Sequence, residues 1–113
     1  MWVPDVGEGW VAATVATDDG GSHVHVALEP YNTPQSHGRA TVFPRNPDIF
    51  AGIADLADLS YLNEPSVLHN LRTRFDEQRA IYTYCGIVLV AINPYDRLPL
   101  FVPLLSFQFF FFL

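Results

Sequence analysis

Apolar and polar residues alternate in two short stretches near the amino terminus. Residues 10–17 and 23–28 each place an apolar side chain at every second position, which is the period of a half-buried strand. Their predicted inward positions are Val11, Ala13, Val15, Val24, Val26 and Leu28. Residues 18–22 contain two glycines and predict a hairpin turn between the strands.

The next segment is more polar and predicts a loop followed by one more strand. Residues 29–40 contain two prolines and a glycine, which favour a loop. Residues 40–43 predict a third strand, which Pro44 ends. Several short strands separated by polar turns predict a small β-barrel in this part of the chain.

Apolar positions take a helical period after residue 63. Asn63 is a favourable N-cap and Pro65 is tolerated in a first helical turn, so a helix of about four turns is predicted there. Its predicted apolar face consists of Val67, Leu68, Leu71 and Phe75.

Two strand-forming stretches follow the helix. Residues 81–84 favour a strand, and residues 87–92 form an unbroken apolar run, which is typical of a strand covered on both faces. Asn93 and Pro94 end this run. A strand covered on both faces requires layers above and below it, and we expect nothing else in the chain to provide them. If sheet neighbours are absent as well, exposed apolar strand edges lead to poor stability and aggregation.

Composition excludes several classes of function. The formal charge is −6, and all six basic residues are arginines. A nucleic-acid partner is therefore not expected, and a lysine-containing phosphate loop is impossible in these 113 residues. Cys85 is the single cysteine and is predicted to pack as a small apolar residue. His23 and His25 could be metal ligands on one strand face, but we expect two exposed histidines and no metal site.

Residues 58–72 and 81–95 resemble the start of a myosin motor domain, and the second stretch is most similar to the class V (unconventional, cargo-carrying) myosins. Residues 46–49 and 2–5 are similar to that class too. The resemblance implies an α+β fragment: a small SH3-like β-barrel at residues 1–44, followed at residues 45–100 by the first helix and strands of the motor core. That core is an α/β fold like those of P-loop NTPases, and here it is incomplete.

The resemblance also implies a nucleotide-side loop after the last predicted strand. By position, Asn93, Pro94 and Arg97 match the loop that forms one wall of the adenine pocket. Phe101 stands where that motif usually has a tyrosine, and Asp96 where the family often has Lys or Glu. The intact parent would use ATP and Mg²⁺, bind actin and calmodulin-type light chains, and be cytoplasmic and associated with the cytoskeleton. The family's phosphate-binding loop and switches lie downstream, so this chain is expected to be inactive as an ATPase.

Residues 101–113 are rich in phenylalanine and unlike any myosin segment. We interpret them as an unrelated hydrophobic tail, with translation into an intron as the hypothesis for its origin. The stretch from Leu98 is slightly short of the length that spans a bilayer and contains prolines, so a membrane location is not expected. Two alternatives to a motor fragment remain: a stand-alone SH3-like interaction module, and a small tail-anchored protein.

Overall fold

The computed structural model describes residues 1–95 and 110–112. The chain forms two units, Met1–Arg45 and Asn46–Leu113.

The first unit is a curled antiparallel sheet of four strands in chain order. The strands are β1 (Trp2–Asp5), β2 (Gly9–Thr17), β3 (His23–Leu28) and β4 (Thr33–Gly38). Val3, Ala13, Val24 and Val26 form its buried cluster. Beyond β4 the chain returns to the edge of β1, where Trp2 and Phe43 exchange two backbone hydrogen bonds of 2.7 and 3.0 Å. This curled sheet is consistent with the small SH3-like barrel that the resemblance implies.

The strands of the first unit differ from the prediction around β4. Residues 23–28 form β3 as predicted, with Val24 and Val26 buried. The predicted loop at residues 29–40 contains β4, and the predicted strand at residues 40–43 is wrong, because Arg39–Thr41 is a 3₁₀ helix. β4 is held by backbone pairing with β3. Its side chains are mostly polar, so no alternation of apolar and polar residues marks it as a strand in the sequence. As an edge strand it also tolerates a proline.

In its described residues, the second unit contains one α-helix and a three-stranded sheet. Its helix is α1 (Glu64–Gln78), and its strands are β5 (Tyr82–Cys85), β6 (Val88–Ala91) and β7 (Phe110–Phe112). Short 3₁₀ helices at Asp48–Phe50 and Leu56–Asp58 precede α1. The strand order is β5-β6-β7, with β5 and β6 antiparallel and β6 and β7 parallel.

Helix α1 begins at the predicted cap. The Asn63 side-chain oxygen accepts a hydrogen bond of 3.0 Å from the Ser66 backbone N–H, which otherwise has no partner within the helix. The predicted apolar face is only partly correct. Leu71 is buried with Leu56 and Val90, but Leu68 is 46% exposed. The buried side of the helix includes polar residues as well, among them Ser66 and Asn70.

Strand β6 has a strand on each side, and the burial of its central apolar side chains contradicts the expectation that nothing else in the chain would cover it. β5 lies on one side and β7 on the other. Leu89, Val90 and Ala91 are all buried. Ile87 remains 84% exposed because it belongs to the turn before β6. The sequence pattern correctly identified β6 as a central strand, but it did not predict β7, the strand on its other side.

Candidate functional site

The chain leaves the sheet in a fixed turn directly after β6. The Ile92 backbone N–H donates to the Ile81 carbonyl at 2.9 Å, which is the last backbone contact of the hairpin before the turn. The Asn93 Oδ1 atom then accepts from the Tyr95 backbone N–H at 2.9 Å. Tyr95 has a positive φ of 53° and is almost fully exposed. This Asx turn fixes the direction in which Asn93 and Pro94 leave the strand.

Asn93 has the chemistry of a ligand contact. Its Oδ1 atom is used within the turn, whereas among the described residues its Nδ2 group has no hydrogen-bond partner. An exposed amide N–H₂ next to a half-buried proline ring can donate to a ring nitrogen while the proline contacts an apolar surface. The other predicted members of the site, Arg97 and Phe101, lie outside the described residues. The structure therefore places Asn93 and Pro94 side by side and says nothing of the other two.

Asp55 supports the hairpin that leads into this turn. Its Oδ1 atom accepts from the Gly86 backbone N–H at 3.0 Å and from the Ala57 N–H at 2.9 Å. Both hydrogen bonds favour the carboxylate and so lower the pKa of Asp55 below its usual value, and the bond from Gly86 has the larger effect. Gly86 has a positive φ of 61°, which a residue with a side chain rarely adopts. Asp55 thus stabilises the β5–β6 turn from outside the hairpin.

Arg74 ties α1 to the start of the hairpin. Its Nε atom donates to the Thr83 hydroxyl at 2.9 Å and its Nη2 atom to the Tyr82 carbonyl at 3.1 Å. Its Nη1 atom lies 3.4 Å from the Gly52 carbonyl, in the loop before α1. One guanidinium therefore joins the helix, a strand and a loop through neutral acceptors. Its rigid fork of five donors makes this possible, and a lysine ammonium could not reproduce it.

Sequence reasoning missed both Asp55 and Arg74. The available signal for Arg74 was its position three residues after buried Leu71, which places it toward the packed side of α1. Asp55 lies two residues before the Ala57 N–H that it caps, which is a local signal for a helix start. Its second partner, Gly86, is 31 residues away and could not be inferred from the sequence.

The remaining candidate residues have ordinary surroundings. His23 and His25 are exposed, and the His23 ring lies 3.0 Å from the Ser22 hydroxyl. Cys85 is a free, half-buried thiol packed against the cluster of Leu56, Leu71 and Val90. Within residues 1–95 and 110–112, no three His, Cys, Asp or Glu side chains are grouped as metal ligands would be.

In residues 1–95 and 110–112, no helix has the length and apolar character needed to cross a membrane.

Comparisons with known proteins agree with the motor resemblance. Residues 53–106 match the family described as Myosin head (motor domain). The chain is 44% identical to unconventional myosin-Va of Rattus norvegicus, 46% to unconventional myosin-Vb of Homo sapiens and 41% to the myosin-J heavy chain of Dictyostelium discoideum. Each alignment covers 89% of this chain. The chain spans only 6% of the first two relatives and 4% of the third. Together with the curled sheet and the helix, these matches support an N-terminal piece of a myosin motor domain, most like class V.

Proposed function

We propose that this chain is the amino-terminal part of an actin-based, class V-like motor whose intact form binds and hydrolyses Mg·ATP. The observation that supports the proposal is the family match over residues 53–106, which runs through α1, β5 and β6 and includes Asn93 and Pro94. In this proposal residues 1–44 are the SH3-like domain and residues 45–100 begin the motor core. The intact protein would be cytoplasmic, bound to actin filaments and to calmodulin-type light chains.

The role proposed for Asn93, Pro94 and Arg97 is to form one wall of the adenine pocket, with Phe101 at the position of the family's tyrosine. The fixed Asx turn after β6 supports this role because it presents the Asn93 amide at the end of a buried strand. Preorganised donors lose little conformational entropy when a ligand binds, so such a turn contributes to specificity for the base. The chemistry of ATP hydrolysis takes place at the phosphates and belongs to other groups.

We further propose that this chain by itself hydrolyses no ATP. Phosphoryl transfer depends on Mg²⁺, oriented backbone N–H groups and cations placed around the β- and γ-phosphates. These 113 residues contain no lysine and hence no lysine-containing phosphate loop. Adenine contacts alone contribute a small part of nucleotide affinity. ATP and Mg²⁺ are therefore cofactors of the intact parent, and this chain lacks the groups that would hold the triphosphate.

A chimeric motor tests the parental function directly. Residues 45–95 of this chain replace the equivalent segment in the motor domain of rat myosin-Va, and steady-state ATPase is measured with and without filamentous actin. We expect actin-activated turnover to be retained. Asn93→Ala in the chimera should raise the KM for ATP with little change in kcat, whereas Arg72→Ala, on the exposed side of α1, should change neither. A folded chimera without actin activation would refute the proposal.

The same ATPase assay on the full 113-residue chain tests the proposal that this chain by itself hydrolyses no ATP. We expect no release of inorganic phosphate above the buffer blank at saturating Mg·ATP and actin. A reproducible rate above the blank, abolished by heat denaturation, would contradict the inactivity of the chain and leave the parental function unaffected.

A further inference from the structure

We propose that Arg74 is a positioning residue for the turn at residues 93–95, because it holds the strand end that leads into Asn93. The inference rests on the proposed function, in which the Asn93 amide contacts the adenine base. Among the described residues, Arg74 donates no hydrogen bond to this turn itself. Its effect on the turn is therefore exerted through the residues that lie between them.

Arg74 holds the chain on both sides of Ile81. The Arg74 backbone carbonyl accepts a hydrogen bond of 3.2 Å from the Ala80 N–H. The Arg74 Nη2 atom donates to the Tyr82 carbonyl at 3.1 Å. Ala80 and Tyr82 are the two chain neighbours of Ile81. One residue of α1 therefore restrains the chain before and after Ile81, through its backbone and through its side chain.

Ile81 in turn holds the end of β6. Its carbonyl accepts from the Ile92 N–H at 2.9 Å, just beyond the last residue of the strand. Ile92 directly precedes Asn93, whose Oδ1 atom closes the turn by accepting from the Tyr95 N–H. The Ile81 carbonyl is therefore the last backbone anchor of the hairpin before that turn. Its position, which Arg74 restrains, determines where the Asn93 amide is presented.

The guanidinium restrains direction as well as distance. Its Nε atom donates to the hydroxyl of Thr83, a residue that is 1% exposed, while its Nη2 atom reaches the carbonyl of the preceding residue. Two donors of one rigid plane thus bind adjacent residues of β5. In the part of the chain that the structure describes, no carboxylate pairs with Arg74. Its contacts are directional hydrogen bonds, which weaken steeply when their geometry changes.

The surroundings of Asn93 make it dependent on this anchor. Asn93 is exposed, so packing against other side chains does little to fix its amide. A binding group contributes fully only when it is held within about 0.5 Å of its productive position. Without the Arg74 side chain, the strand end and Asn93 with it sample a wider range of positions. The loss of nucleotide affinity should then approach that of one neutral hydrogen bond, about fivefold.

Backbone order parameters of the full chain test whether Arg74 holds the turn. In the unmodified chain the amides of Ile92 and Asn93 should have order parameters near 0.85, and Arg74→Met should lower both below about 0.6. Leu89, which lies farther from the turn in β6, should stay near about 0.85 in both proteins. Order parameters are measured on the folded molecule, so a loss of global stability does not mimic this result.

Two further variants sharpen this measurement. Arg72→Met, on the exposed side of α1, is the matched control and should leave the order parameter of Asn93 unchanged. Thr83→Val keeps the β-branched shape but removes the acceptor of the Arg74 Nε atom, so it should lower that order parameter less than Arg74→Met does. If Arg74→Met fails to fold, Thr83→Val decides the question, and an unchanged Asn93 order parameter in it overturns the proposal.

The chimera with the rat myosin-Va motor tests the effect on the nucleotide. There, Arg74→Met should raise the KM for ATP about fivefold, with kcat unchanged within about twofold. In a chimera that already carries Asn93→Ala, the same change should raise KM by less than about twofold, because the contact that Arg74 positions is gone. A merely structural weakening would raise KM by the same factor in both backgrounds.

The outcomes separate this inference from the proposed function. A folded chimera without actin-activated ATPase refutes the function and the effect on nucleotide, while the order parameters of the full chain still decide whether Arg74 holds the turn. An active chimera in which Arg74→Met raises KM equally with and without Asn93→Ala overturns the inference alone. Equal Asn93 order parameters in Arg74→Met and Arg72→Met overturn it as well.

Discussion

The two units differ in how completely they cover their apolar side chains. In the first unit, the large apolar residues with substantial exposure are Val6, Val15 and Tyr31. In the described part of the second unit the corresponding set is more than twice as large and comprises Ile49, Tyr61, Leu62, Leu68, Tyr84, Ile87 and Tyr95. The first unit closes a small core with a curled sheet. The described part of the second unit leaves more large apolar side chains exposed, as the proposed place in a larger motor would lead us to expect.

The units also differ in the polar interactions that connect their elements. The first unit has two side-chain ion pairs, Asp18 with Arg39 and Glu29 with Arg45, and both are partly exposed to solvent. The second unit relies on hydrogen bonds from side chains to backbone, including one of 3.1 Å from the Asn70 amide to the Ile53 carbonyl. The Oδ1 atom of Asn70 and the hydroxyl of Ser66 are buried without a partner among the described residues.

Truncating buried side chains should give the largest losses of stability and should show whether the two units unfold independently. Leu56→Ala removes a fully buried side chain from the cluster with Leu71 and Val90, at an expected cost of about 2–5 kcal/mol. Val24→Ala in the first unit should cost about 2 kcal/mol, since it removes two buried methyl groups. Both tryptophans lie in the first unit and the single cysteine in the second. Tryptophan fluorescence and Cys85 labelling therefore monitor the two units separately during urea unfolding.

We expect Leu56→Ala to lower the urea midpoint of Cys85 labelling more than that of tryptophan fluorescence, and Val24→Ala to do the reverse. Equal shifts of both midpoints in both variants would mean that the chain unfolds as one cooperative body.

Removing the Arg74 guanidinium should have the next largest effect. Arg74→Met keeps most of the aliphatic length but leaves the buried Thr83 hydroxyl and the Tyr82 carbonyl without their donors. We expect a loss of about 2 kcal/mol, measured by the urea midpoint of Cys85 labelling. Arg72→Met, on the exposed side of the same helix, is the control and should change stability by less than about 0.5 kcal/mol. Equal losses in the two variants would refute the role assigned to Arg74.

A smaller effect is expected at the end of α1. Arg79 has a positive φ of 52° and its guanidinium lies 5.2 Å from the centroid of the Phe75 ring. Arg79→Gly and Arg79→Ala both remove that contact, but only glycine adopts this backbone conformation without strain. The glycine variant should be more stable than the alanine variant by about 1 kcal/mol in the same labelling assay. A more stable alanine variant would show that the helix does not end in this conformation.

The smallest effect concerns pH and the first unit. Hydrogen bonds from the Arg39 side chain and then from the Gly20 backbone lower the pKa of Asp18 from 3.8 to about 2. Because the folded-state pKa is depressed, the stabilisation is present above about pH 4 and is lost as the pH falls toward 2. Asp18→Asn should be slightly less stable than the unmodified chain at pH 7. The two urea midpoints, followed by tryptophan fluorescence, should converge near pH 2.

Asp76→Asn, at an exposed carboxylate on α1, is the control for Asp18→Asn. A difference between Asp18→Asn and the unmodified chain that persists unchanged at pH 2 would contradict the ionic origin of the effect.

Local signals predicted the elements that form from neighbouring residues. The Asn63 cap, helix α1, strand β3 and the two strands of the β5–β6 hairpin follow from capping chemistry and hydrophobic period. Strand β4 could not be predicted in this way, because its polar side chains leave only backbone pairing to hold it. The helical face containing Leu68 was misassigned because the burial of Ser66 and Asn70 depends on tertiary packing.

The candidate site was predictable only in part. Asn93 and Pro94 follow a buried strand, and their position was evident from the end of the apolar run. The contacts of Asp55 with Gly86 and of Arg74 with Gly52 join residues 31 and 22 positions apart. No periodic pattern encodes such contacts. The adenine contact itself remains a prediction.

The Asn46 side chain has a consequence for how this segment tolerates changes in length. Its Nδ2 group donates to the Tyr61 carbonyl and its Oδ1 accepts from the Tyr61 N–H, both at 2.8 Å. One side-chain amide thereby holds the two ends of residues 46–61 together. Extra residues within this loop add only a small entropic cost, whereas a shorter loop would break the two hydrogen bonds between Asn46 and Tyr61. Related chains should therefore vary in this loop by insertion more readily than by deletion.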